Sequence, residues 1–281
     1  MAHKAPIWLV TNASSGGHNE QTLAHIATLF AEARRPIARR ITLGEEPSPT
    51  GDEASAAGVG LVIIYGGDGT ISSVVRALGD WAGHILALPG GTMNLLARAL
   101  HGDRPALELA GTAARESMFS APIPVITAER FRALAGIVAG PTSAWGDVRE
   151  HLRNTDLKGL ASSVPGALSE TLTGNAIAVE GVAEEYQAVY LQPAPGGIEL
   201  RGIVAQQATD LIAHGWAWLA GDFRNGPNVQ LGTYPNATLR SDGPVGLLVD
   251  GEKAEAGSIL HVHGEFSPQR FLSRRGGIRW T

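Results

Sequence analysis

Short apolar runs alternate with amphipathic stretches along the first hundred residues. The apolar runs predict buried strands over residues 7–11, 61–65 and 85–88, and residues 37–43 form a further strand candidate. Between the runs, apolar residues recur at helical spacing, as Leu23, Ile26 and Phe30 do, and the same spacing predicts helices over residues 71–78 and 94–100. Strand, loop and helix therefore repeat three times, which predicts an α/β domain with a mostly parallel sheet.

The pattern changes after about residue 122. Short alternating runs, separated by proline, glycine and asparagine, occupy residues 176–180, 187–191, 199–204, 228–231, 237–240, 245–249 and 258–263. Such runs are typical of an antiparallel β-sandwich-like domain, and one predicted helix over residues 206–219 interrupts them. We therefore predict two domains, residues 1–120 and residues 121–266.

The amino-acid composition excludes several classes of site and partner. The chain has 36 glycines in 281 residues and no cysteine, which excludes disulfides, thiol nucleophiles and cysteine-ligated metals. The formal charge of -5 gives no global attraction for nucleic acid, so we expect no nucleic-acid partner. No signal-peptide pattern and no apolar run of membrane-spanning length is present, which predicts a cytoplasmic location.

Three polar, glycine-rich loops follow the predicted strands, at residues 12–17, 66–70 and 89–94. Ligands of open α/β sheets bind beyond the carboxyl ends of the strands, so the three loops can converge on one ligand. Glycine lets backbone amides approach phosphate oxygens, and the next helix N-terminus adds partial positive charge. The loops together predict a phosphate-binding edge.

Asp68 is unusual for a plain anion site because a carboxylate repels phosphate. It fits a residue that holds Mg²⁺, orients a hydroxyl or accepts a proton. The alternative is an ordinary Asp-Gly turn that caps a helix.

Other motifs are absent or ambiguous. The sequence has no Walker P-loop, nucleophile elbow or zincin motif, and no lysine near any glycine loop. His261 and His263 alternate on one predicted strand, but two histidines without a third ligand favour a structural or surface role. The segment Asp250-Gly251-Glu252 favours a hairpin turn by its spacing; the alternative makes Glu252 a positioned carboxylate at a cleft between the domains.

In order and spacing, the three loops resemble the nucleotide-binding loops of the diacylglycerol kinase catalytic-domain family. The Gly-Gly-Asp-Gly-Thr loop at residues 66–70 is shared with NAD kinases and phosphofructokinases, whereas the Gly-Thr-Met-Asn-Leu-Leu-Ala-Arg start at residues 91–98 favours lipid kinases. Residues 250–252 resemble the family's late Asp-Gly-Glu element. The resemblance is strong over residues 7–101.

The resemblance implies ATP and Mg²⁺ as cofactors and an active site in the cleft between the two domains. It also implies that residues 267–281 return to the first domain. Glu252 would accept the proton of the acceptor hydroxyl, helped by Asp250, and Asp68 would act in catalysis and as the metal ligand. Nucleotide contacts are implied for Asn12, Ser14, Ser15, Gly16, Thr42, Gly66, Gly67, Asp68, Gly69, Thr70, Thr92 and Asn94.

The sequence departs from the family pattern at three places. Ala13 replaces the usual proline, Leu95 stands where many members carry aspartate, and the Asp-rich stretch of the second domain is absent near residues 196–200. The resemblance implies an ATP-dependent lipid kinase acting on an acceptor such as diacylglycerol, in phospholipid biosynthesis. Alternatives are a NAD kinase-like or other small-molecule kinase, or a nucleotide-binding homologue with weak catalysis.

The expected partner is a lipid substrate at a membrane surface, which implies peripheral membrane association; a homodimer is a further option. Trp216 and Trp218 suit a membrane interface, although a place in the core of the second domain is favoured.

Overall fold

A computed structural model describes residues 5–13, 19–140, 175–203 and 228–280. The chain divides into two compact units, one of Met1–Ile123 with Phe266–Thr281 and the other of Pro124–Glu265. The helix expected over residues 206–219, with Trp216 and Trp218, lies outside the described residues. Within the described ranges, no helix has the length and hydropathy needed to cross a membrane.

The first unit is built on a six-stranded, mostly parallel sheet. Its strands are β1 (Ile7–Asn12), β2 (Ile37–Leu43), β3 (Leu61–Gly66), β4 (His84–Pro89), β5 (Phe119–Ala121) and β18 (Arg270–Ser273). The spatial order is β2-β1-β3-β4-β18-β5, and only the pairing of β18 with β5 is antiparallel. The predicted α/β domain with a mostly parallel sheet is confirmed.

Helices pack against this sheet because their apolar positions recur on one face. They are α1 (Glu20–Glu32), α2 (Gly51–Ala56), α3 (Asp68–Leu78), α4 (Leu95–His101) and α5 (Ala106–Arg115). Phe30 of α1 and Leu109 of α5 share a core cluster with Leu9 of β1 and Ile63 of β3. Every residue of β3 is buried, as expected for a central strand of a parallel sheet.

His101, the last residue of α4, is a buried imidazole in this unit. Its Nε2–H donates a hydrogen bond to the carbonyl oxygen of Ala87 at 3.1 Å, and its buried Nδ1 has no partner among the described residues. Burial lowers the pKa of His101 to about 4, and the charges of Arg274 and Arg275 act in the same direction. The imidazole is therefore neutral in the folded protein at neutral pH.

The second unit contains two antiparallel sheets. Its strands are β6 (Pro124–Ala128), β7 (Phe131–Ala133), β8 (Ile137–Ala139), β9 (Ile177–Val179), β10 (Glu185–Tyr186), β11 (Ala188–Ala194), β12 (Gly197–Ile203), β13 (Asn228–Tyr234), β14 (Asn236–Arg240), β15 (Val245–Val249), β16 (Glu252–Ala256) and β17 (Ile259–Phe266). The sheet orders are β10-β9-β14-β17-β6-β7 and β13-β12-β11-β8-β15-β16. Leu239 and Val262 of one sheet pack in a single core cluster with Leu191 and Leu200 of the other, which confirms the β-sandwich-like fold.

A two-residue turn joins β15 to β16. Val249 pairs with Glu252, and the intervening Asp250 and Gly251 have φ angles of 49° and 84°. Positive φ at both positions is the requirement of a type I′ hairpin turn, for which Asp-Gly is a preferred sequence. The structure therefore confirms the hairpin turn favoured by the spacing of these residues.

The Asp250 side chain does more than allow the turn. The residue is only 4% exposed, and its carboxylate accepts hydrogen bonds from the amides of Leu134, Ala135 and Gly136 at 2.7–3.1 Å. In return, the Asp250 amide donates to the carbonyl oxygen of Gly136 at 2.9 Å. The turn is thus tied to the segment that leads into β8.

Acid should weaken the first unit through His101. Because the pKa of His101 is about 4 in the folded protein and 6.5 as its ordinary value, the unfolded chain binds the extra proton first as the pH falls. Stability is therefore full above about pH 6.5 and declines toward pH 4, by roughly 3 kcal/mol in all. Urea unfolding of the wild type and His101→Gln at pH 7, 5.5 and 4 measures this; an equal pH slope in both proteins would exclude His101 as its source.

Asp250→Asn should destabilise the second unit by roughly 2–3 kcal/mol. Asparagine keeps a turn-forming residue before Gly251, so the loss of stability would come from the weakened bonds to the three amides and not from the turn. Thermal and urea unfolding would measure it. Asp242→Asn, at an exposed position of the same unit, is the matched control and should stay within about 0.5 kcal/mol of wild type. Equal effects of the two substitutions would contradict the role assigned to the buried carboxylate.

Candidate functional site

The carboxyl ends of the parallel strands bring several predicted residues to one edge of the first unit. Thr11 pairs with both Thr42 and Tyr65, and Gly66 pairs with Pro89. From the end of β1, the Asn12 amide reaches the Thr70 hydroxyl at 3.4 Å. Asn12, Thr42 and the loops that follow β3 and β4 therefore share an edge, as parallel pairing predicts.

The two loops after β3 and β4 lie in direct backbone contact. A Cβ atom on Gly91 would come within 2.4 Å of the Gly67 Cα, and one on Gly90 would come within 2.9 Å of the Gly66 amide nitrogen. The Gly90 amide also donates to the Gly66 carbonyl oxygen at 3.0 Å. Glycine is therefore required here by loop-to-loop packing, whether or not a phosphate binds.

Asn94 holds the second of these loops closed. It adopts the left-handed conformation, with φ 51° and ψ 42°. Its Oδ1 accepts from the amides of Gly90 and Gly91 at 3.2 and 2.7 Å, and its Nδ2 donates to the Gly91 carbonyl oxygen at 2.7 Å. The structure thus uses this side chain, predicted to touch the nucleotide, to shape the loop.

Asp68 links the starts of two helices. It is the first residue of α3 and is only 4% exposed. Its two carboxylate oxygens accept from the amides of Leu95 and Leu96, both at 3.0 Å. Asn94 gives α4 no side-chain cap, so the Asp68 carboxylate satisfies amides of the first turn and interacts favourably with the helix dipole.

A divalent cation is chemically compatible with this carboxylate, because each oxygen has further acceptor capacity. Mg²⁺ is usually held by one or two carboxylates together with substrate phosphates and waters. Across the part of the chain that is described, no group of three or more histidine, cysteine, aspartate or glutamate side chains forms a metal site. Phosphate oxygens and water would therefore have to complete the coordination of an ion at Asp68.

The start of α3 is suited to an anion. Its N-cap is Gly67, which has no side chain that could cap the helix. The first turn contains Gly69 and Thr70, and Thr70 is buried. The first amides of a helix have no partner within the helix, and together with the helix dipole they form a favourable phosphate site.

Thr92 lies at the rim of a small polar cavity. The threonine is exposed, whereas the following Met93 is buried. The cavity measures about 230 Å³, and Arg98 and Arg104 line it together with Thr92 and Asn94. Neither arginine was singled out from the sequence as a site residue, although the lack of lysine near the loops leaves arginine as the available cation.

The remaining predicted residues fall in three places. Thr42 is buried, and its carbonyl oxygen accepts from the amides of Glu45 and Glu46 at 3.1 Å. Glu252, in the second unit, is exposed at the first position of β16. Ser14, Ser15 and Gly16 lie outside the described residues.

Comparisons with known proteins match one segment of the first unit to a protein family. Residues 6–122 match the family model of the diacylglycerol kinase catalytic domain. The comparison with curated proteins found no match.

Solved structures with the same fold cover nearly the whole chain. A diacylglycerol kinase from Bacillus anthracis str. Sterne aligns with a TM-score of 0.66 and 18% identity over 95% of this chain and 96% of that one. Another structure, assigned as a diacylglycerol kinase of the same organism, aligns with a TM-score of 0.64 and 17% identity over 95% and 97% of the two chains. At such identities the likeness establishes the fold. The resemblance carried by the three loops is confirmed over residues 6–122, which match the diacylglycerol kinase catalytic domain, a domain of a kinase family.

Proposed function

We propose that the chain is a kinase that transfers the γ-phosphoryl group of ATP to a hydroxyl of a lipid acceptor such as diacylglycerol. The observation that carries the proposal is the edge of the first unit, where the start of α3, the glycine loops and the buried Asp68 come together. The family match over residues 6–122 supports phosphoryl transfer as the reaction.

Phosphoryl transfer depends mainly on positioning and charge neutralisation. In the proposal, the amides of Gly69 and Thr70 bind phosphate oxygens at the start of α3, and the Asn12 and Thr92 side chains contact the nucleotide. Asp68 would hold Mg²⁺, which neutralises charge on the transferred phosphate. Rigid loops favour this chemistry because their dipoles need no rearrangement when charge develops.

Glu252 is proposed as the proton acceptor. The acceptor hydroxyl gives its proton to the Glu252 carboxylate as its oxygen bonds to the γ-phosphorus. The bond from that phosphorus to the β–γ bridging oxygen breaks, and ADP leaves with the electron pair. The exposed position of Glu252 at the start of β16 makes its carboxylate available to such a substrate.

The direct test is turnover of labelled ATP with diacylglycerol, sphingoid base, ceramide and NAD as separate acceptors. Phosphorylation of a lipid supports the proposal. Phosphorylation of NAD alone would identify a NAD kinase-like enzyme. Tight ATP binding without turnover of any acceptor would identify a nucleotide-binding homologue, a result in keeping with Leu95 at a position where related proteins carry an acid.

Asp68→Asn should lower kcat by at least 100-fold if this carboxylate holds the metal. Asparagine keeps one acceptor for the amides of α4, so we expect a stability loss of about 1 kcal/mol, against about 2 kcal/mol for Asp68→Ala. Initial rates and urea unfolding of both variants separate catalysis from capping. Asp80→Asn, exposed in the same unit, is the control; full activity in Asp68→Asn would refute the metal role.

Glu252→Gln should lower turnover by about 10²–10⁴-fold and leave ATP affinity unchanged. Because residue 252 is exposed, stability should stay within about 0.5 kcal/mol of wild type. Glu255→Gln, on the same exposed strand, is the matched control and should retain activity. Equal rates in the two variants would remove Glu252 as the base.

A further inference from the structure

The segment of residues 274–280 is fixed against α4 and α5 of the first unit. The Arg279 amide donates to the Ala99 carbonyl oxygen at 3.0 Å. The Arg274 guanidinium donates to the Thr112 hydroxyl at 3.1 Å, and the Ser273 hydroxyl just before the segment donates to the Leu100 carbonyl oxygen at 2.7 Å. The charges of this segment are therefore held at a defined place on the surface.

Arginines from two parts of the chain meet there. The Arg275 guanidinium lies beside Gly102, where a Cβ atom would come within 2.8 Å of Nη2. Gly102 also lines the small cavity that Arg98 and Arg104 border. Arg104 and Arg274 both contact Glu108, at 3.1 and 3.6 Å. We call this surface the arginine patch: Arg98, Arg104, Arg274, Arg275 and Arg279.

The patch is locally basic in an acidic protein. Two carboxylates belong to the same surface: Glu108, which pairs with Arg104 and Arg274, and Asp103, which lines the cavity. Five arginines and these two carboxylates sum to a net charge of about +3, whereas the whole chain has a formal charge of -5. The effect of Arg274 and Arg275 on the pKa of His101 agrees with this concentration of charge. Crowded like charges oppose folding, so an anionic partner would relieve their repulsion.

An exposed aromatic ring borders the same surface. Phe119 is 64% exposed, and a Cβ atom on Gly276 would lie 3.9 Å from its ring. Water-exposed phenylalanine is unfavourable, but at a bilayer surface the ring can enter the apolar region while guanidinium groups meet lipid phosphates. A nucleic-acid duplex would meet the charges with its phosphates and leave this ring in water, because its bases are already stacked on one another.

We propose that the arginine patch, together with Phe119, docks the first unit on an anionic phospholipid surface. The proposal concerns adhesion and requires neither nucleotide nor turnover, so it goes beyond the proposed kinase activity and can fail independently of it. Polybasic surfaces bind anionic bilayers with a strength that grows with each arginine and falls with salt.

The test is binding of the full chain, without nucleotide, to vesicles of phosphatidylglycerol mixed with phosphatidylcholine, and to vesicles of phosphatidylcholine alone. We expect binding to the anionic vesicles only, weakened as salt rises. The variant Arg104→Gln/Arg274→Gln/Arg279→Gln should reduce the vesicle affinity roughly 100-fold, at about 1 kcal/mol per arginine. Phe119→Ala should reduce it roughly 10-fold and, unlike the triple variant, should do so equally at low and high salt.

The matched control is Arg76→Gln/Arg130→Gln/Arg240→Gln, which makes the same change in net charge at exposed positions elsewhere. It should bind like the wild type, and thermal unfolding of each variant verifies folding. Equal binding to both kinds of vesicle, or an equal loss in the control, would overturn the proposal. Binding to duplex DNA that only the patch variant loses, without vesicle binding, would overturn it in favour of a nucleic acid.

Discussion

The geometry of the predicted nucleotide edge depends on two backbones in van der Waals contact. β3 and β4 are neighbours in register, so the loops that leave them start roughly 5 Å apart, one strand spacing. Gly91 lies so close to Gly67 that it has no room for a side chain, and a Cβ atom on Gly67 would lie only 3.3 Å from the Gly91 Cα. The Asn94 turn forms on one side of this contact, and on the other Asp68 is brought to the amides at the start of α4. Any change that separates the loops would disturb all of these interactions together.

Residues that were expected to bind the ligand therefore also build the site. The Asn94 side chain forms hydrogen bonds within its own loop, and the Asp68 carboxylate caps the neighbouring helix α4. This organises the edge before any ligand arrives, which reduces the entropy lost on binding. An alanine variant at either position would therefore lose both the contact with the ligand and the hydrogen bonds that shape the site. Only substitutions that preserve the internal hydrogen bonds can separate these two causes of lost activity.

Local patterns predicted the secondary structure where the signal was strong. The predicted strands over residues 37–43 and 245–249 have the observed bounds of β2 and β15, because each is followed directly by a turn residue, Gly44 or Asp250. α5 escaped prediction because its buried stripe is mostly alanine, and β7 and β8 were missed because three residues each are too few to show an alternating pattern.

The contacts of the carboxylates could not be predicted from local pattern. Asp68 meets amides 27 and 28 positions later, and Asp250 meets amides 114–116 positions earlier. Such contacts exist only once the tertiary fold has brought the segments together. The loop motifs indicated which residues gather at the sheet edge, but not that two of them would bond to the protein itself.

The position of β18 has a consequence for how the first unit comes to be made. This strand lies between β4 and β5 and not at the margin of the sheet, and Ile123 and Ser267, which flank its pairing with β5, are 144 positions apart. During synthesis, β5 has no neighbour in the sheet until the ribosome has passed residue 273. Until then, residues 1–123 have an open, apolar sheet edge. Chaperones recognise such intermediates, which aggregate at high protein concentration. We therefore expect the insertion of β18 to be the slow step of assembly. The chain between β5 and β18 must lose the entropy of closing a long loop before the strand makes any stabilising contact.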